Sequence, residues 1–263
     1  MVLCIDIGNS TILFGVYSGK KLLRNWKMDT DAGGTAERYA KDIQRRFRQL
    51  DIPPSGMDGI VVSCVVPCLE PVIKDAVKQC FGQRALFVSA GLDTPLKITV
   101  DKPSCLGADR IATAVAAFEK YGTDAIVVDF GTAVTFDVVS ARGEYRGGVI
   151  AAGIGISSDA LAEKTAKLPR IKLSKPEVIV GKNTVESMKS GIFYGFMGQV
   201  KEIISRIKRE VGEDAVVIGT GGYAELMDKE TGLFDGVEPF LILEGLRIIW
   251  ERNRERSKNK KKS

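Results

Sequence analysis

The sequence contains the same short pattern twice, 123 positions apart. An apolar run ends on an aspartate, a glycine follows two residues later, and small polar residues lead into a second apolar run. The copies are Cys4-Ile5-Asp6-Ile7-Gly8-Asn9-Ser10-Thr11 and Val128-Asp129-Phe130-Gly131-Thr132-Ala133. Each copy predicts a strand, a tight turn and a second strand, with a carboxylate delivered to the turn. Carboxylates and exposed backbone N–H groups suit Mg²⁺ and phosphate, so two facing copies could grip one nucleotide.

The pattern of apolar and turn residues predicts the same order of elements around each copy. Strands are expected at about 2–7, 11–17, 21–28, 60–64, 85–88, 125–129, 133–139, 144–150 and 215–218. Helices are expected at about 35–50, 69–80, 107–120, 156–166, 183–211 and 241–254. We therefore predict an α/β fold of two duplicated domains with an interdomain cleft. The predicted boundaries are 1–113 and 114–251, followed by a basic, disordered tail at 252–263.

Charge and composition exclude several classes of function. The net charge of +5 resides in the last 13 residues, which carry seven Lys or Arg and two Glu, so residues 1–250 are neutral. The main part of the chain therefore lacks the excess of basic residues that nucleic-acid binding requires. No apolar run reaches the length of a membrane span. The five cysteines, without any histidine, indicate reduced thiols in the cytoplasm rather than a metal cluster.

Each candidate segment also has a plain structural interpretation. Gly8 would let the backbone approach a phosphate, and Asp6 would hold a hydrated Mg²⁺, but the same residues also fit a hairpin whose aspartate caps its own turn. Gly219-Thr220-Gly221-Gly222 follows a strand and opens a helix, which suits backbone contact with a nucleotide. Gly107-Ala108-Asp109-Arg110 begins a helix and pairs a possible base with an anion-binding arginine, or simply serves the helix dipole.

Taken in order, these segments resemble type III pantothenate kinase, a family also described as Bvg accessory factor-like. The resemblance runs from Asp6 to about Trp250 and includes further motifs besides those above. These are Gly147-Gly148, Gly181-Lys182-Asn183-Thr184 and Leu243-Glu244-Gly245-Leu246. The resemblance implies an actin-like (ASKHA, RNase H-like) kinase that phosphorylates pantothenate with ATP, the first step of coenzyme A synthesis.

The resemblance also implies a role for individual residues. Asp109 would accept the proton of the attacking hydroxyl, Asp129 would hold a monovalent cation (K⁺ or NH₄⁺), and Asp6 would hold Mg²⁺ through water. Pantothenate would contact Val100 and the segment of Gly107, Ala108, Asp109 and Arg110. It would also contact Thr184, across a homodimer interface. ATP would contact Asp6, Ile7, Gly8, Asn9, Ser10, Thr11, Ile12, Leu13, Thr132, Gly221 and Gly222.

Two positions depart from the family pattern. An aromatic residue is expected near position 100, where this chain has Val100, and a Pro-Gly pair is expected where it has Ala152-Gly153. These departures leave two alternatives open: a non-catalytic regulator that kept the fold, and a kinase of another small hydroxylated substrate.

Overall fold

A computed structural model of the chain describes residues 1–172 and 174–260, with only the backbone described for 257–260. The chain divides into two compact units. The first comprises Met1–Lys120 and the C-terminal segment from Phe240, and the second comprises Tyr121–Pro239. Both units combine a sheet with helices, so the predicted α/β class with a duplicated organisation is confirmed.

The first part of the chain contains six strands, three α-helices and two short 3-10 turns in the described residues. The strands are β1 (Val2–Ile7), β2 (Thr11–Ser18), β3 (Lys21–Asp29), β4 (Gly59–Cys64), β5 (Leu86–Phe87) and β6 (Lys97–Ile98). The helices are α1 (Ala36–Gln49), α2 (Leu69–Phe81) and α3 (Ala108–Tyr121), and the 3-10 turns are Pro54–Gly56 and Pro103–Cys105.

The rest of the described chain repeats this order before it ends in a long helix. Its strands are β7 (Ala125–Phe130), β8 (Ala133–Val139), β9 (Glu144–Ala152), β10 (Val216–Gly221) and β11 (Gly236–Val237). Its helices are α4 (Ile154–Lys164), α5 (Thr184–Val211), α6 (Ala224–Thr231) and α7 (Leu241–Lys260).

The two sheets have equivalent topologies. The first sheet has the order β3-β2-β1-β4-β5, and five of the six strands of the second sheet have the equivalent order β9-β8-β7-β10-β11. In each sheet the aspartate-bearing strand is antiparallel to its hairpin partner and parallel to the strand on its other side. Asp6 and Asp129 are both the second-last residue of an otherwise buried strand. The repeated sequence pattern therefore reflects a repeated structural unit.

Aromatic side chains fill the core of each unit. In the first, Phe14 stacks on Trp26 with ring centroids 4.9 Å apart, and Phe47 contacts Trp26 edge-on at 5.8 Å. In the second, Phe130 makes edge contacts with Phe196 and Phe234. Such rings bury large apolar areas and prefer stacked or edge-to-face geometry, which fixes the strand ends that carry the candidate residues.

The C-terminal helix differs from the prediction in two respects. It packs with the first unit rather than the second, because its apolar side chains Leu243 and Leu246 are fully buried there and the helix contacts β1, β2 and β4. It also continues to Lys260, into the segment from residue 252 that was predicted to be disordered. Residues 261–263 of that tail lie outside the described residues.

No helix in the described part of the chain combines the length and the apolar character needed to cross a membrane.

Candidate active site

The hairpin between β1 and β2 carries the first group of candidate residues. The N–H of Gly8 donates to the carbonyl of Thr11 at 3.0 Å, which closes the turn. Thr30, which follows β3, stabilises the same turn. Its Oγ1 donates to the carbonyl of Gly8 at 2.7 Å, and its N–H donates to the carbonyl of Ser10 at 3.1 Å. Asn9 and Ser10 are exposed, whereas Ile12 and Leu13 are buried. The predicted ATP segment thus presents a fixed, accessible turn beside the half-buried Asp6.

The second hairpin, between β7 and β8, has a similar turn at Gly131 and Thr132, and both residues are exposed. The N-cap of α4, Gly153, lies directly against this turn. A methyl group at Gly153 would lie 2.9 Å from the carbonyl oxygen of Gly131 and would overlap that of Thr132. The start of α4 therefore sits beside the turn only because residue 153 has no side chain. The sequence motifs did not predict this role of Gly153, although a glycine at the start of a helix is a signal for such a close approach.

Gly221, at the end of β10, makes room for the carboxylate of Asp129. Its φ of +87° favours glycine, and a methyl group there would lie 2.5 Å from Asp129 Oδ1 and 2.7 Å from the carbonyl oxygen of Phe130. That carbonyl also accepts a hydrogen bond from the N–H of Gly222 at 3.0 Å. Asp129 Oδ1 and the backbone nitrogen and oxygen of Phe130 therefore lie directly against Gly221. Carboxylate and carbonyl oxygens are the ligands that hard cations prefer, so the residues fit a cation at Asp129.

The start of α3 holds the third group. Asp109 Oδ1 accepts a hydrogen bond from the N–H of Arg110 at 2.8 Å, and the N–H of Ile111 donates to the carbonyl of Gly107 at 3.1 Å. A methyl group at Gly107 would overlap Asp109 Oδ1, so the glycine clears space for the carboxylate. Thr113 bonds back to the carbonyls of Asp109 and Arg110, both at 3.2 Å, which stabilises this first turn.

Burial raises the pKa of the Asp109 carboxyl above its usual range, and the hydrogen bond from the N–H of Arg110 and the charge of that residue oppose the increase. A raised pKa brings a carboxylate closer to the basicity that proton abstraction near neutral pH requires. Asp109 thus combines partial burial, a raised pKa and a position at a helix start.

Thr184 is the first residue of α5 and is exposed. The preceding Asn183 caps the helix by accepting a hydrogen bond from the N–H of Glu186 at 3.0 Å, while the Glu186 carboxylate accepts one from the N–H of Lys182 at 2.8 Å. The bond from Lys182, together with one from the Asn183 side chain, lowers the pKa of Glu186. The arrangement resembles a capping box, except that the carboxylate accepts from the residue before the N-cap. Thr184 lines a groove of about 820 Å³ on the second unit, together with Leu161, Met188, Gly191, Gly195 and Phe196.

The candidate residues are divided between the two units. Asp6 to Leu13, Val100 and Gly107 to Arg110 belong to the first, while Asp129, Thr132, Thr184, Gly221 and Gly222 belong to the second. Val100 is half-buried in the segment between β6 and α3. Within the second unit the structure brings Asp129 and Gly221 into contact. Within the first, Asp6 and Asp109 occupy separate elements, β1 and α3.

Comparison with known proteins gives consistent matches. The family described as type III pantothenate kinase matches residues 2–206. The type III pantothenate kinase of Geobacter sulfurreducens is 45% identical over 255 residues, covering 97% of this chain and 100% of the relative. That of Moorella thermoacetica is 44% identical over 253 residues, covering 96% and 100%.

Solved structures match in fold at low sequence identity. The activator of 2-hydroxyisocaproyl-CoA dehydratase from Clostridium difficile, with bound ADPNP, superposes with a TM-score of 0.57 at 10% identity, covering 100% of this chain and 97% of that one. Component A of (R)-2-hydroxyglutaryl-CoA dehydratase from Acidaminococcus fermentans gives 0.55 at 14%, covering 97% and 98%. The fold is of the actin-like ASKHA type.

Proposed function

Because this chain belongs to the type III pantothenate kinase family and phosphorylates pantothenate with ATP in coenzyme A biosynthesis, we propose that Asp109 is the base of the reaction. The observation that carries this proposal is the placement of its carboxylate, half-buried at the start of α3 in the space that Gly107 leaves open. Asp109 accepts the proton of the attacking hydroxyl of pantothenate as the oxygen approaches the γ-phosphorus of ATP. Arg110, whose guanidinium can bind a carboxylate with two parallel hydrogen bonds, holds the pantothenate carboxylate.

ATP is placed on the two hairpin turns. Exposed backbone at Asn9 and Ser10, and at Thr132, faces the phosphates, and Gly221 and Gly222 supply further backbone contact. In phosphoryl transfer the protein contributes positioning and charge neutralisation rather than covalent chemistry. The equivalent positions of the two turns in their sheets support a phosphate-binding role for each turn.

Two cations complete the proposal. The donor set at Asp129, with the carbonyl of Phe130 and the space that Gly221 leaves, fits a monovalent cation such as K⁺ or NH₄⁺. Asp6, at the end of β1 beside the Gly8 turn, fits Mg²⁺ held through water. When bound, these ions neutralise charge on the phosphates. Replacing K⁺ by Na⁺ in the assay tests the first site, and a rate that is unchanged in Na⁺ would exclude a selective K⁺ requirement.

The groove on the second unit supports a homodimer. In the described residues, the exposed large apolar side chains all lie in this unit: Val149, Ile150, Ile156, Leu161, Val178, Ile179, Val180 and Val185. Val180 is 77% exposed and Ile150 is 63% exposed. Gly191 and Gly195 leave open space beside α5. Exposed large apolar side chains gathered in one unit are typical of a protein–protein interface. The occupant we propose is a second copy of the chain, whose Thr184 completes the pantothenate site.

Subunit mixing tests whether Thr184 acts across the dimer. Asp109→Asn and Thr184→Glu are purified separately, mixed under conditions that exchange subunits, and assayed against each variant alone. If Thr184 serves the partner's site, one site of each heterodimer has both native residues, and activity returns. If Thr184 serves its own subunit, both sites of the heterodimer stay impaired, and no recovery is expected.

The kinase assay itself follows ADP release and identifies phosphopantothenate by mass spectrometry, with wild type and Asp109→Asn compared at saturating ATP, Mg²⁺ and K⁺. A non-catalytic regulator is not favoured, because the full-length relatives are named as kinases. A panel of other small hydroxylated acceptors defines the acceptor range. We also propose a cytoplasmic location, which the five free thiols support.

A further inference from the structure

Helix α7 approaches the main chain of α3 at a single glycine. A methyl group at Gly245 would overlap the carbonyl oxygen of Ala112 and would lie 2.5 Å from its carbonyl carbon and 3.1 Å from its Cα. All three atoms belong to backbone, which cannot move aside as the end of a flexible side chain can. Ala112 lies three residues after Asp109 in the same helix. The contact therefore falls one turn away from the proposed base.

The opposite side of α7 is fixed against the sheet that carries Asp6. A methyl group at Gly15 of β2 would lie 2.6 Å from Leu243 Cδ1, and one at Gly59 of β4 would overlap the indole ring of Trp250. Leu243 is fully buried and Trp250 is 8% exposed. Gly15 and Gly59 of the sheet thus allow α7 to pack closely on one side, and Gly245 of the helix allows it to pack closely against α3 on the other.

The C-terminal end of α7 holds the segment that precedes the proposed substrate residues. Arg252 Nε donates to Asp93 Oδ1 at 3.0 Å, and Asn253 Nδ2 donates to the carbonyl of Asp93 at 2.9 Å. The side-chain oxygen of Asn253 in turn accepts from the N–H of Asp93 at 3.3 Å. The helix therefore touches the sheet, α3 and the segment leading to β6.

We infer that Gly245 is a positioning residue for catalysis, and that α7 acts as the spacer that sets the start of α3 relative to the β1–β2 turn. This inference rests on the proposed role of Asp109 as base. Because the first turns of α3 are continuous hydrogen-bonded helix, a displacement at Ala112 is carried to Asp109. A misplacement of about 1 Å at a reacting group can cost roughly 10²-fold in rate.

The test is a cycle of four proteins: wild type, Gly245→Ala, Asp109→Asn and the double variant. Gly245→Ala is expected to lower kcat by about 10- to 100-fold while the KM for ATP changes less than about twofold, since the β1–β2 turn is untouched. In the Asp109→Asn background the same change is expected to cost less than about threefold, because the group that it displaces is already absent.

Two further variants serve as controls for the effect of Gly245→Ala. Gly198→Ala is the matched control, because it is also a glycine inside a helix and has no neighbouring atom within 4 Å of the added methyl; its kcat is expected to equal that of wild type. In Gly15→Ala the added methyl contacts the end of the flexible Leu243 side chain, which can move aside. This variant therefore provides the test if Gly245→Ala fails to fold. It is expected to give a smaller loss, of about two- to fivefold in kcat, with the same dependence on Asp109.

The outcomes separate the two claims. If Asp109→Asn retains the wild-type kcat, the proposed base is wrong. If Asp109→Asn is impaired but Gly245→Ala, or Gly15→Ala in its place, costs the same factor in both backgrounds, the positioning role is overturned while the base stands. An unchanged kcat in both glycine variants would also overturn it.

Discussion

The backbone of Gly221 lies directly against the carboxylate of Asp129, close enough that a methyl group on residue 221 would sit 2.5 Å from Oδ1. The two residues lie on neighbouring parallel strands, where Thr220 pairs with Asp129 and Gly221 with Phe130. The contact joins the motif found after β10 to the second Asp-x-Gly pattern, although about 90 residues of sequence separate them. It also yields a direct test of the cation site.

Gly221→Ala is expected to abolish the response of the rate to K⁺ and to lower kcat at least 10-fold, because the methyl fills the space beside Asp129. Backbone strain at the positive φ adds about 1 kcal/mol of lost stability. Titration of kcat with K⁺ measures the response. Gly232→Ala is the control, since Gly232 also has a positive φ but no neighbouring atom within 4 Å of an added methyl. A normal K⁺ response in Gly221→Ala would contradict the assignment.

Asp109→Asn is expected to lower kcat by roughly 10²- to 10⁴-fold, the usual contribution of a positioned general base. The amide keeps the shape of the side chain but cannot accept the proton. The KM for ATP should stay within about threefold of wild type, since the ATP turns belong to other elements. Steady-state kinetics with each substrate varied in turn provides the measurement, and a loss confined to KM would argue against a role in proton transfer.

The pH dependence of stability should also report on Asp109. Its folded-state pKa is raised, so the folded protein holds the proton at pH values where the unfolded chain has released it. As pH rises from the ordinary aspartate pKa, about 3.9, through the raised folded value, this group removes stability. The melting temperature of Asp109→Asn should therefore rise relative to wild type across that interval and stay level above it. A difference independent of pH would contradict the burial effect.

The same titration predicts an acidic limb in the activity profile. Asp109 must be ionised to accept a proton, so kcat/KM should fall as pH drops through its raised pKa. Asp109→Glu, which keeps an ionisable group, should retain a limb, whereas the residual rate of Asp109→Asn should lack it. A limb of unchanged position in Asp109→Asn would assign the titration to another group.

Arg110→Lys is expected to raise the KM for pantothenate by about 10- to 100-fold, because lysine keeps the charge but loses the planar pair of donors, worth about 1.5–3 kcal/mol when charge-assisted. The KM for ATP should not change. Pantothenol, which lacks the carboxylate, serves as the matched probe: if Arg110 binds that group, wild type and Arg110→Lys should use pantothenol equally well.

Phe47→Ala is expected to destabilise the protein by about 3–5 kcal/mol, the usual range for removing a buried aromatic ring. Phe47 is 1% exposed and contacts both Trp26 and Phe81 edge-on. Chemical denaturation followed by tryptophan fluorescence measures the loss, and kcat at low temperature should stay near wild type because the ring lies outside the proposed site. A loss below about 1 kcal/mol would mean that the core closes over the gap.

Much of the fold could be predicted because its signals are local. The turn glycines, the alternation of apolar residues and the duplicated Asp-x-Gly pattern predicted nearly every strand and helix to within a few residues. The long helix α5 begins after an asparagine N-cap, Asn183, a signal that is visible in the sequence. The small strands β6 and β11 were missed, since two-residue strands carry little periodic signal. Helix α6 was expected after Gly222, but its range was not predicted.

The sequence by itself determined the duplicated α/β architecture, the family and the candidate residues, because these depend on short-range patterns and on residues that keep their order along the chain. Only the tertiary structure decided where α7 packs, that Gly245 faces the backbone of Ala112, that Gly153 faces the turn at Thr132, and that Gly221 makes room for Asp129. Those contacts join residues that are separated in sequence. Because a glycine has no side chain, its identity does not indicate which residue it will contact. At these glycines the physical basis is the close approach of a backbone to another backbone or to a side chain, which exists only once the chain has folded.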